Sequence, residues 1–567
     1  MINHPVDHPS RFGLARLLAV LVGVLMLLAL ALPTQAKPSS RNINLQLLAI
    51  NDFHGNLDPP TGSGGRIVVP PPATPANTVD AGGAVYLATH LHQLEATNPN
   101  TLIVSAGDNI GASPLTSGWF HDEPAIEVLN SMGLDISAVG NHEFDEGKAE
   151  LMRMQNGGCH PTAGCQDGDG FAGADFTYLS ANVINDDTDA PLLPAYDIRN
   201  VGGVRVGFIG LTLEGTPSIV TPFGVAGLTF LDEADTVNKY VGQLNKLGVH
   251  AIVVLIHEGG FQTPSGFINE CNGISGAIVD IVNHFNADVD LVISGHTHQA
   301  YNCVINGMPV TSSSSFGRLV TDVDLTIDRA SQDVSNVSIE NKIVTRTVAQ
   351  DPAVKTIVDK YNALIADVKN TVVGHLASTA GLDRTQNAAG ESQLGEVIAD
   401  AQLAATDNEF GSVMAFMNPG GIRADLPCLV PPLCPVTFGE VFAVQPFAND
   451  LVAMNLTGAQ IKTLLETQFS VNRFLGVSNG LTYTWSASAP LGSKVSNIAV
   501  NGVALDPAAT YRVTVNVFLS GGGDGFTVLA SGQNKVIGPI DLDALVAYMG
   551  SHDPLASPPL NRVTALP

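Results

Sequence analysis

Five short apolar runs in the first half of the chain each end in a cluster of Asp, Asn or His. This repetition constrains the fold more than any other feature of the 567 residues. The runs are residues 45–50, 101–105, 136–139, 251–256 and 291–294. Such runs are typical of buried strands, and helix-like segments separate them. Residues 43–346 therefore predict an α/β domain.

The polar residues after these runs are of types that can bind metal ions through nitrogen and oxygen. They are Asp52, His54, Asp108, Asn141, His257, His296 and His298. Ligands collect outside the carboxyl ends of strands in open α/β sheets, so we expect the five loops to converge on one edge of one sheet. A carboxylate such as Asp108 can bridge two ions. Two ions about 3.5–4 Å apart stabilise the attacking and leaving oxygens of an in-line displacement, so the pattern predicts dimetal phosphoester hydrolysis.

The ligand types do not determine which metal ion binds. Because no thiolate belongs to the set, zinc, manganese, iron and cobalt all suit it.

Composition excludes some partners. Acidic residues outnumber basic ones by 53 to 26, giving a formal net charge of −27. A nucleic acid duplex is disfavoured because binding it requires a basic face. A small anionic substrate would need local positive charge, which metal ions can supply. The length predicts two to four domains, and 45% hydrophobic with 14% charged residues is typical of a globular protein.

Residues 1–36 have the pattern of a secretory signal peptide. Arg11 and Arg16 precede an apolar run at residues 17–32, and small residues before Ala36 predict cleavage after it. An uncleaved anchor is the alternative, for which the run is short. We therefore expect a soluble exported protein, periplasmic or secreted, with no membrane association after cleavage. The sequence leaves the oligomeric state open.

Six cysteines fit an oxidising compartment. They predict three sequential disulfides, Cys159–Cys165, Cys271–Cys303 and Cys428–Cys434. Proximity alone supports this connectivity, because six cysteines permit 15 pairings. Zinc binding by thiolates is the weaker interpretation, since the chain has no C-x-x-C pair.

A second domain is predicted at residues 371–567. A helix over residues 352–368, within a linker at 347–370, is expected to join it to the first domain. The second domain mixes helices at 393–405 and 458–468 with strands such as 511–517. Thr457 and Gln460 fit a capping box. Residues 59–77 are predicted to be an exposed insertion.

In its five motifs the chain resembles the calcineurin-like metallophosphoesterases, and more closely the exported bacterial 5′-nucleotidase family. The motifs are Asp52-x-His54, Gly107-Asp108, Gly140-Asn141-His142-Glu143, His257 and Gly295-His296-x-His298. The resemblance implies an N-terminal β-sandwich flanked by helices, a linker helix and a mixed α+β C-terminal domain.

The resemblance also implies two divalent ions, zinc, manganese or similar, with assigned ligands. One ion would take Asp52, His54, Asp108 and His298, and the other Asp108, Asn141, His257 and His296. His142 would act on the phosphate as an acid or transition-state stabiliser, held by Asp145. Glu143 is interpreted as structural.

Three motifs of the second half match the family's substrate-binding domain, at residues 418–423, 445–449 and 518–526. By this resemblance Phe447 and Phe518 sandwich the nucleobase, and Asp524 binds the ribose hydroxyls. Asn449 contacts the base. Residues near the sugar and phosphate are Asn418, Gly421 and Arg423, with Arg384 as a loosely matched phosphate-side arginine.

The implied function is phosphate release from nucleoside 5′-monophosphates by attack of a metal-bridging hydroxide. Two alternatives stay open. The same apparatus could act on nucleotide sugars or 2′,3′-cyclic nucleotides, or the chain could be an inactive surface nucleotide-binding protein. The complete ligand set disfavours the binding protein.

Overall fold

Two six-stranded sheets face each other in the first half of the chain. The computed structural model describes residue 1, residues 41–70 and residues 77–567, so most of the predicted signal peptide lies outside the described residues. In spatial order, the first sheet contains Asp333–Ile343, Leu319–Asp328, Asn42–Ile50, Thr101–Ser105, Leu134–Ala138 and Thr177–Leu179. The second contains Ala300–Ile305, Met308–Ser313, Leu291–Ser294, Ala251–His257, Val204–Thr212 and Tyr196–Val201.

Apolar side chains fill the space between the two sheets. Leu47 and Val104 of the first sheet and Phe208 and Val253 of the second belong to one buried cluster. The predicted β-sandwich is therefore confirmed.

All five predicted runs form strands, but the expectation that they share one sheet is wrong. Three lie side by side and parallel in the first sheet: Asn42–Ile50, Thr101–Ser105 and Leu134–Ala138. The other two, Ala251–His257 and Leu291–Ser294, are parallel neighbours in the second. A strand buried on both faces is continuously apolar in either sheet of a sandwich, so its composition cannot assign it to one.

Helices cover the outer faces of the sandwich. Ala84–Glu95 and Glu123–Ser131 contribute to the core beside the first sheet, and Glu233–Lys246 and Ala277–Asn283 to the core beside the second. The remaining elements of this half are short. They are helices Leu115–Gly118 and Lys148–Asn156, 3-10 turns Gly62–Gly65, His142–Phe144 and Thr216–Ser218, and strands Arg66–Val68, Thr78–Asp80, Val183–Asn185, Ala190–Pro191 and Leu228–Phe230.

The predicted linker helix is two helices, Pro352–Leu364 and Ala366–Lys369. The Asp351 side chain caps the first by accepting from the amides of Ala353 and Val354. Ile365 interrupts the helix with φ −108° and ψ 7°. Apolar spacing continues through Ile365, so periodicity alone could not reveal this break.

The second half is a mixed α+β structure, as predicted. Its five-stranded sheet has the order Gly476–Val477, Met414–Met417, Thr510–Asn516, Asp450–Thr457 and Gln533–Ile540. A four-stranded sheet contains Val503–Ala504, Val495–Val500, Leu481–Ser486 and Val563–Leu566, and Val372–His375 pairs with Pro435–Thr437. The helices and 3-10 turns are Gln393–Ala404, Asp407–Phe410, Pro419–Gly421, Phe438–Val444, Gly458–Val471, Val517–Ser520, Gly523–Gly525, Thr527–Ser531 and Asp541–Ser551.

Several local predictions are confirmed. Thr457 and Gln460 form a capping box. The three disulfides Cys159–Cys165, Cys271–Cys303 and Cys428–Cys434 are present. In the described ranges, no helix has the length and apolarity that a membrane span requires. Residues 43–567 form one compact unit, and the domain limits stay predictions.

Candidate active site

The seven predicted metal ligands come together where the five strands end. They form two groups, and within each group the ligand atoms lie within 4.8 Å of one another. The groups are Asp52, His54 and His298, and Asp108, His257 and His296. Asn141 joins the second group, since its Oδ1 lies 3.0 Å from His296 Nδ1.

Asp108 stands between the two groups. Its Oδ2 lies 3.7 Å from His54 Nε2 and 2.9 Å from His257 Nε2. A carboxylate that faces ligands of both groups has the position of a bridging ligand.

Backbone carbonyls fix the tautomers of two histidines. His54 Nδ1 lies 2.8 Å from the Gly111 carbonyl, and His257 Nδ1 lies 2.8 Å from the Ala106 carbonyl. Each Nδ1 therefore carries the proton and donates it, which leaves Nε2 with a lone pair. These lone pairs face Asp108 oxygen, and within the described ranges His257 Nε2 is buried without a well-aligned hydrogen-bond donor. A positive centre between these acceptors, either a proton on the imidazole or a metal ion, satisfies them, so the residues fit a metal ion.

The pKa values of the buried imidazoles are shifted by their charged neighbours. Burial alone would lower the pKa of His257, but the carboxylate of Asp108 outweighs it and raises that pKa to about 10. Burial and then the neighbouring His257 lower the pKa of His296 to about 3. A proton on His257 would compete with a metal ion for the same lone pair, so binding of a metal ion there would release the proton.

Five of the seven predicted ligands have left-handed backbone conformations. The φ values are 50° for Asp52, 47° for His54, 51° for Asp108, 67° for His296 and 55° for His298. Non-glycine residues rarely adopt this conformation, and such strain is concentrated at functional sites.

Glu143 connects the second and third ligand loops. Its Oε2 accepts from the amides of Asp108 (3.0 Å) and Gly140 (2.6 Å), and its Oε1 accepts from that of Asn109 (2.8 Å). The loops approach so closely that a Cβ at Gly140 would collide with Asp108 Oδ1. The carboxylate thus holds Asp108 in place without facing the metal groups itself.

His142 lies within 4.8 Å of ligand atoms of His54 and Asp108, one from each group, and is oriented by Asp145. His142 Nδ1 donates to Asp145 Oδ2 at 2.7 Å, and the His142 amide donates to Asp108 Oδ1 at 2.9 Å. Burial would lower the pKa of His142, but Asp145 and then Asp108 raise it above its ordinary value. The imidazolium form is therefore favoured at this position.

One cavity joins the metal groups to the second half of the chain. Its lining includes Asn141, His142, Asp145 and His296 from the first half. From the second half it includes the predicted residues Asn418, Gly421, Arg423, Phe447, Asn449, Phe518 and Asp524. The Phe447 ring lies nearly parallel to that of His142, with centroids 5.6 Å apart.

Arg384 is the predicted substrate residue that the cavity lining does not include. Its Nη1 donates to the carbonyls of Ile422 (3.0 Å) and Arg423 (2.9 Å). In this position Arg384 holds the turn that carries Arg423, and the direct phosphate contact stays a prediction.

Sequence reasoning missed several lining residues: Ile219, Val220, Thr221, Gly420, Arg473 and Asn516. The first three belong to a first-half loop outside every quoted motif. Asn516 lies two residues before Phe518, and an Asn before a short helix is a capping signal that could have identified it.

A further cluster of His121, Glu146 and His160 lies near this site. The two rings are stacked, with centroids 3.7 Å apart and an interplanar angle of 6°. Lone pairs in parallel ring planes do not converge on one ion. The Ala163 amide also donates to His160 Nδ1, which places the ring proton on the Nε2 that faces Glu146. The cluster is therefore an ion pair between His121 and Glu146 beside a neutral His160, and it is a poor metal site.

Two family models match the chain. The calcineurin-like phosphoesterase model matches residues 45–300, and the model of the 5′-nucleotidase C-terminal domain matches residues 372–531.

Similar proteins match over most of the chain. It is 34% identical over 523 residues to endonuclease YhcR of Bacillus subtilis, covering 90% of this chain and 40% of that protein. It is 32% identical over 548 residues to cell wall protein Lmo0130 of Listeria monocytogenes, covering 91% of this chain and 68% of that protein. A solved structure of a 5′-nucleotidase precursor from Thermus thermophilus superposes with a TM-score of 0.75 and 28% identity, covering 92% of this chain and 99% of that one.

Proposed function

Because the chain belongs to the 5′-nucleotidase family of metal-dependent calcineurin-like phosphoesterases, we propose that it hydrolyses nucleoside 5′-monophosphates to nucleoside and phosphate. The observation that carries the proposal is the shared cavity. His142, Asn141 and His296 line it from the metal side, and Phe447, Phe518 and Asp524 line it from the second half. A phosphate bound beside the metal-side residues would place its nucleoside against the cavity residues from the second half of the chain.

Two divalent ions held by the two ligand groups would supply a hydroxide nucleophile at neutral pH and positive charge for the phosphoryl oxygens. Asp108 would contact both ions. Glu143 keeps Asp108 in place through backbone amides, and left-handed backbone conformations pre-organise four of the remaining ligands.

His142 contributes positive charge at the phosphate. With Nδ1 donating to Asp145, the ring has a fixed orientation and its Nε2 is free to donate to a phosphoryl or leaving oxygen. Arg423 lines the same cavity and can meet phosphate oxygens in bidentate fashion.

The second half would hold the nucleoside. Stacking on Phe447 and Phe518 contributes roughly 1–3 kcal/mol per base and tolerates different bases. The Asp524 carboxylate can accept hydrogen bonds from ribose hydroxyls.

We also propose that the protein is exported and then free of its signal peptide. Residues 1–36 support this by their pattern, and the three disulfides support an oxidising compartment. Cleavage after Ala36 in the exported chain, read by N-terminal sequencing, tests it. An N-terminus upstream of residue 17 would contradict it.

The enzymatic proposal is tested by phosphate release from AMP. The chain from residue 37 onwards is assayed with added Mn²⁺ or Zn²⁺, with and without a chelator. We expect metal-dependent release of phosphate and adenosine. Cleavage of UDP-glucose or 2′,3′-cyclic AMP without cleavage of AMP would favour the alternative substrates. Binding of AMP without cleavage under any metal would favour the nucleotide-binding protein.

A further inference from the structure

Arg473 lies on the wall of the cavity beside Asp524. It follows the helix Gly458–Val471 after Asn472, which ends that helix in a left-handed conformation. Its Nε lies 3.5 Å from Asp524 Oδ1, with 39% of the Arg473 side chain and 5% of the Asp524 side chain exposed. The guanidinium also lies along the Gly-rich turn, since a Cβ at Gly420 would be 3.8 Å from Arg473 Nη1.

The other oxygen of Asp524 is held by a chain of amides. Asn418 Nδ2 donates to Asp524 Oδ2 at 3.0 Å, and Asn516 Nδ2 donates to Asn418 Oδ1 at 3.0 Å. Asn516 is itself fixed, because its Oδ1 accepts from the Leu519 amide at 2.9 Å. One carboxylate oxygen therefore has a rigid neutral partner, and the other has a cation.

The contact with Arg473 leaves Oδ1 able to accept further hydrogen bonds. At 3.5 Å it is an ion pair, and no hydrogen bond between the two groups occupies the lone pairs of Oδ1. Burial raises the pKa of Asp524, and Arg473 and then Asn418 counteract that rise. An ionised carboxylate accepts from both hydroxyls of a ribose, whereas a protonated one gives up an acceptor position.

We propose that Arg473 is a positioning residue that makes the site selective for ribonucleotides, by holding Asp524 as an oriented carboxylate facing the 2′- and 3′-hydroxyls. This inference rests on the proposed function, in which the cavity binds a nucleoside at Asp524. Arg473 touches the carboxylate, and its effect reaches the substrate through Asp524.

The test compares AMP with 2′,3′-dideoxy-AMP. A hydrogen bond to a charged group corresponds to roughly tenfold or more in affinity, so the wild-type kcat/KM ratio is expected to favour AMP by at least about tenfold. Arg473→Ala should bring the ratio to within about threefold of one. Arg473→Lys keeps the cation and should retain most of the preference. Arg473→Gln is the second neutral variant, used if the alanine variant does not fold.

Arg512→Ala is the matched control. Arg512 lies on the strand Thr510–Asn516 and bonds Asn455 and the Asn534 carbonyl, away from the cavity lining. It should keep the wild-type ratio. Two results would overturn the inference while leaving AMP hydrolysis intact. One is a kcat/KM ratio in the neutral Arg473 variants equal to that of the wild type, and the other is a ratio near one in the wild type itself.

Calorimetry with adenosine and 2′,3′-dideoxyadenosine separates the inference from the enzymatic proposal. If the wild type does not hydrolyse AMP, the proposed function fails, and the binding preference for adenosine still decides the role of Arg473. A preference lost in the neutral variants supports the inference. An unchanged preference, or no binding of either nucleoside, overturns it.

Discussion

Four polar side chains in the segment of residues 140–146 have different contacts. They are Asn141, His142, Glu143 and Asp145. Asn141 contacts the predicted metal ligand His296, and His142 donates to Asp145. Glu143 accepts from the backbone amides of Asp108 and Asn109 in the neighbouring loop and of Gly140 in its own loop. Their separate roles follow from what each side chain faces, which residue type alone does not determine.

His142→Ala should lower kcat on AMP by roughly 10²- to 10⁴-fold, the usual contribution of a positioned acid. The metal content should not change, because the predicted ligand set is complete without His142, whose Nδ1 is held by Asp145. Metal analysis and kcat measured on the same preparation check this. Loss of metal in the variant would contradict the assigned role and make His142 a ligand.

Glu143→Gln should destabilise the protein by roughly 1–3 kcal/mol and weaken metal binding. The new NH₂ group must face a backbone N–H, because amides already surround both oxygens. Burial and then the neighbouring Asp108 raise the pKa of Glu143 to about 8, and His257 and then the N–H donors of Asn109 and Gly140 limit that rise.

Glu146→Gln is the matched control for Glu143. Its side chain is 46% exposed and pairs with His121, so it should change the free energy of unfolding by less than about 1 kcal/mol. Urea denaturation of both variants provides the comparison. Equal changes in the free energy of unfolding in the two variants would contradict the special role of Glu143.

At the residue scale, residues within the motifs could be predicted from the sequence. Residues that only contact the motif residues in the folded chain could not. The seven predicted ligands follow strands and have ligand chemistry, so their positions were visible in the sequence. Arg473 pairs with Asp524, which is distant in sequence, and no local pattern marks such a contact.

At the scale of elements, the strands and the linker show a second limit of prediction from sequence. The five strands were predictable as strands, because their apolar runs are bounded by polar turns. Their division between two sheets depends on long-range pairing, which a local apolar run does not encode. The break at Ile365 is likewise invisible in the apolar spacing.

The linker is tied to the first half by Asp58. Lys369 Nζ donates to Asp58 Oδ2, and Asn362 Nδ2 donates to Asp58 Oδ1 at 2.8 Å. Burial would raise the pKa of Asp58, but Lys369 and the neighbouring hydrogen bonds lower it below its ordinary value of 3.8. A carboxyl group with a lowered folded pKa stabilises the protein above its unfolded pKa, and this stabilisation is lost as the pH falls through the folded pKa.

Asp58→Asn should therefore destabilise the protein at pH 7, and the difference from the wild type should shrink as the pH falls below about 4. Because the side chain is 37% exposed, solvent screening limits the effect to about 1 kcal/mol. Asp359→Asn, on the linker helix Pro352–Leu364, is the control, since its pair with Lys355 is more exposed. A difference that persists unchanged at pH 3 would contradict the ion-pair account.

At the scale of the whole molecule, a chain with a net charge of −27 concentrates cationic groups at one cavity. Arg423, Arg473 and His142 line it together with predicted metal ligands. These groups offset the repulsion that an acidic protein exerts on an anionic substrate. The family explains why both halves contribute, since its two models cover residues 45–300 and 372–531.

The most direct test of this account is a metal titration of the metal-free protein. Mn²⁺ is added stepwise, and bound metal and phosphate release from AMP are measured on the same samples. We predict that release appears as the second ion per chain binds, and that a chelator abolishes it. Full release from metal-free protein, or from protein with one ion per chain, would contradict the dimetal account.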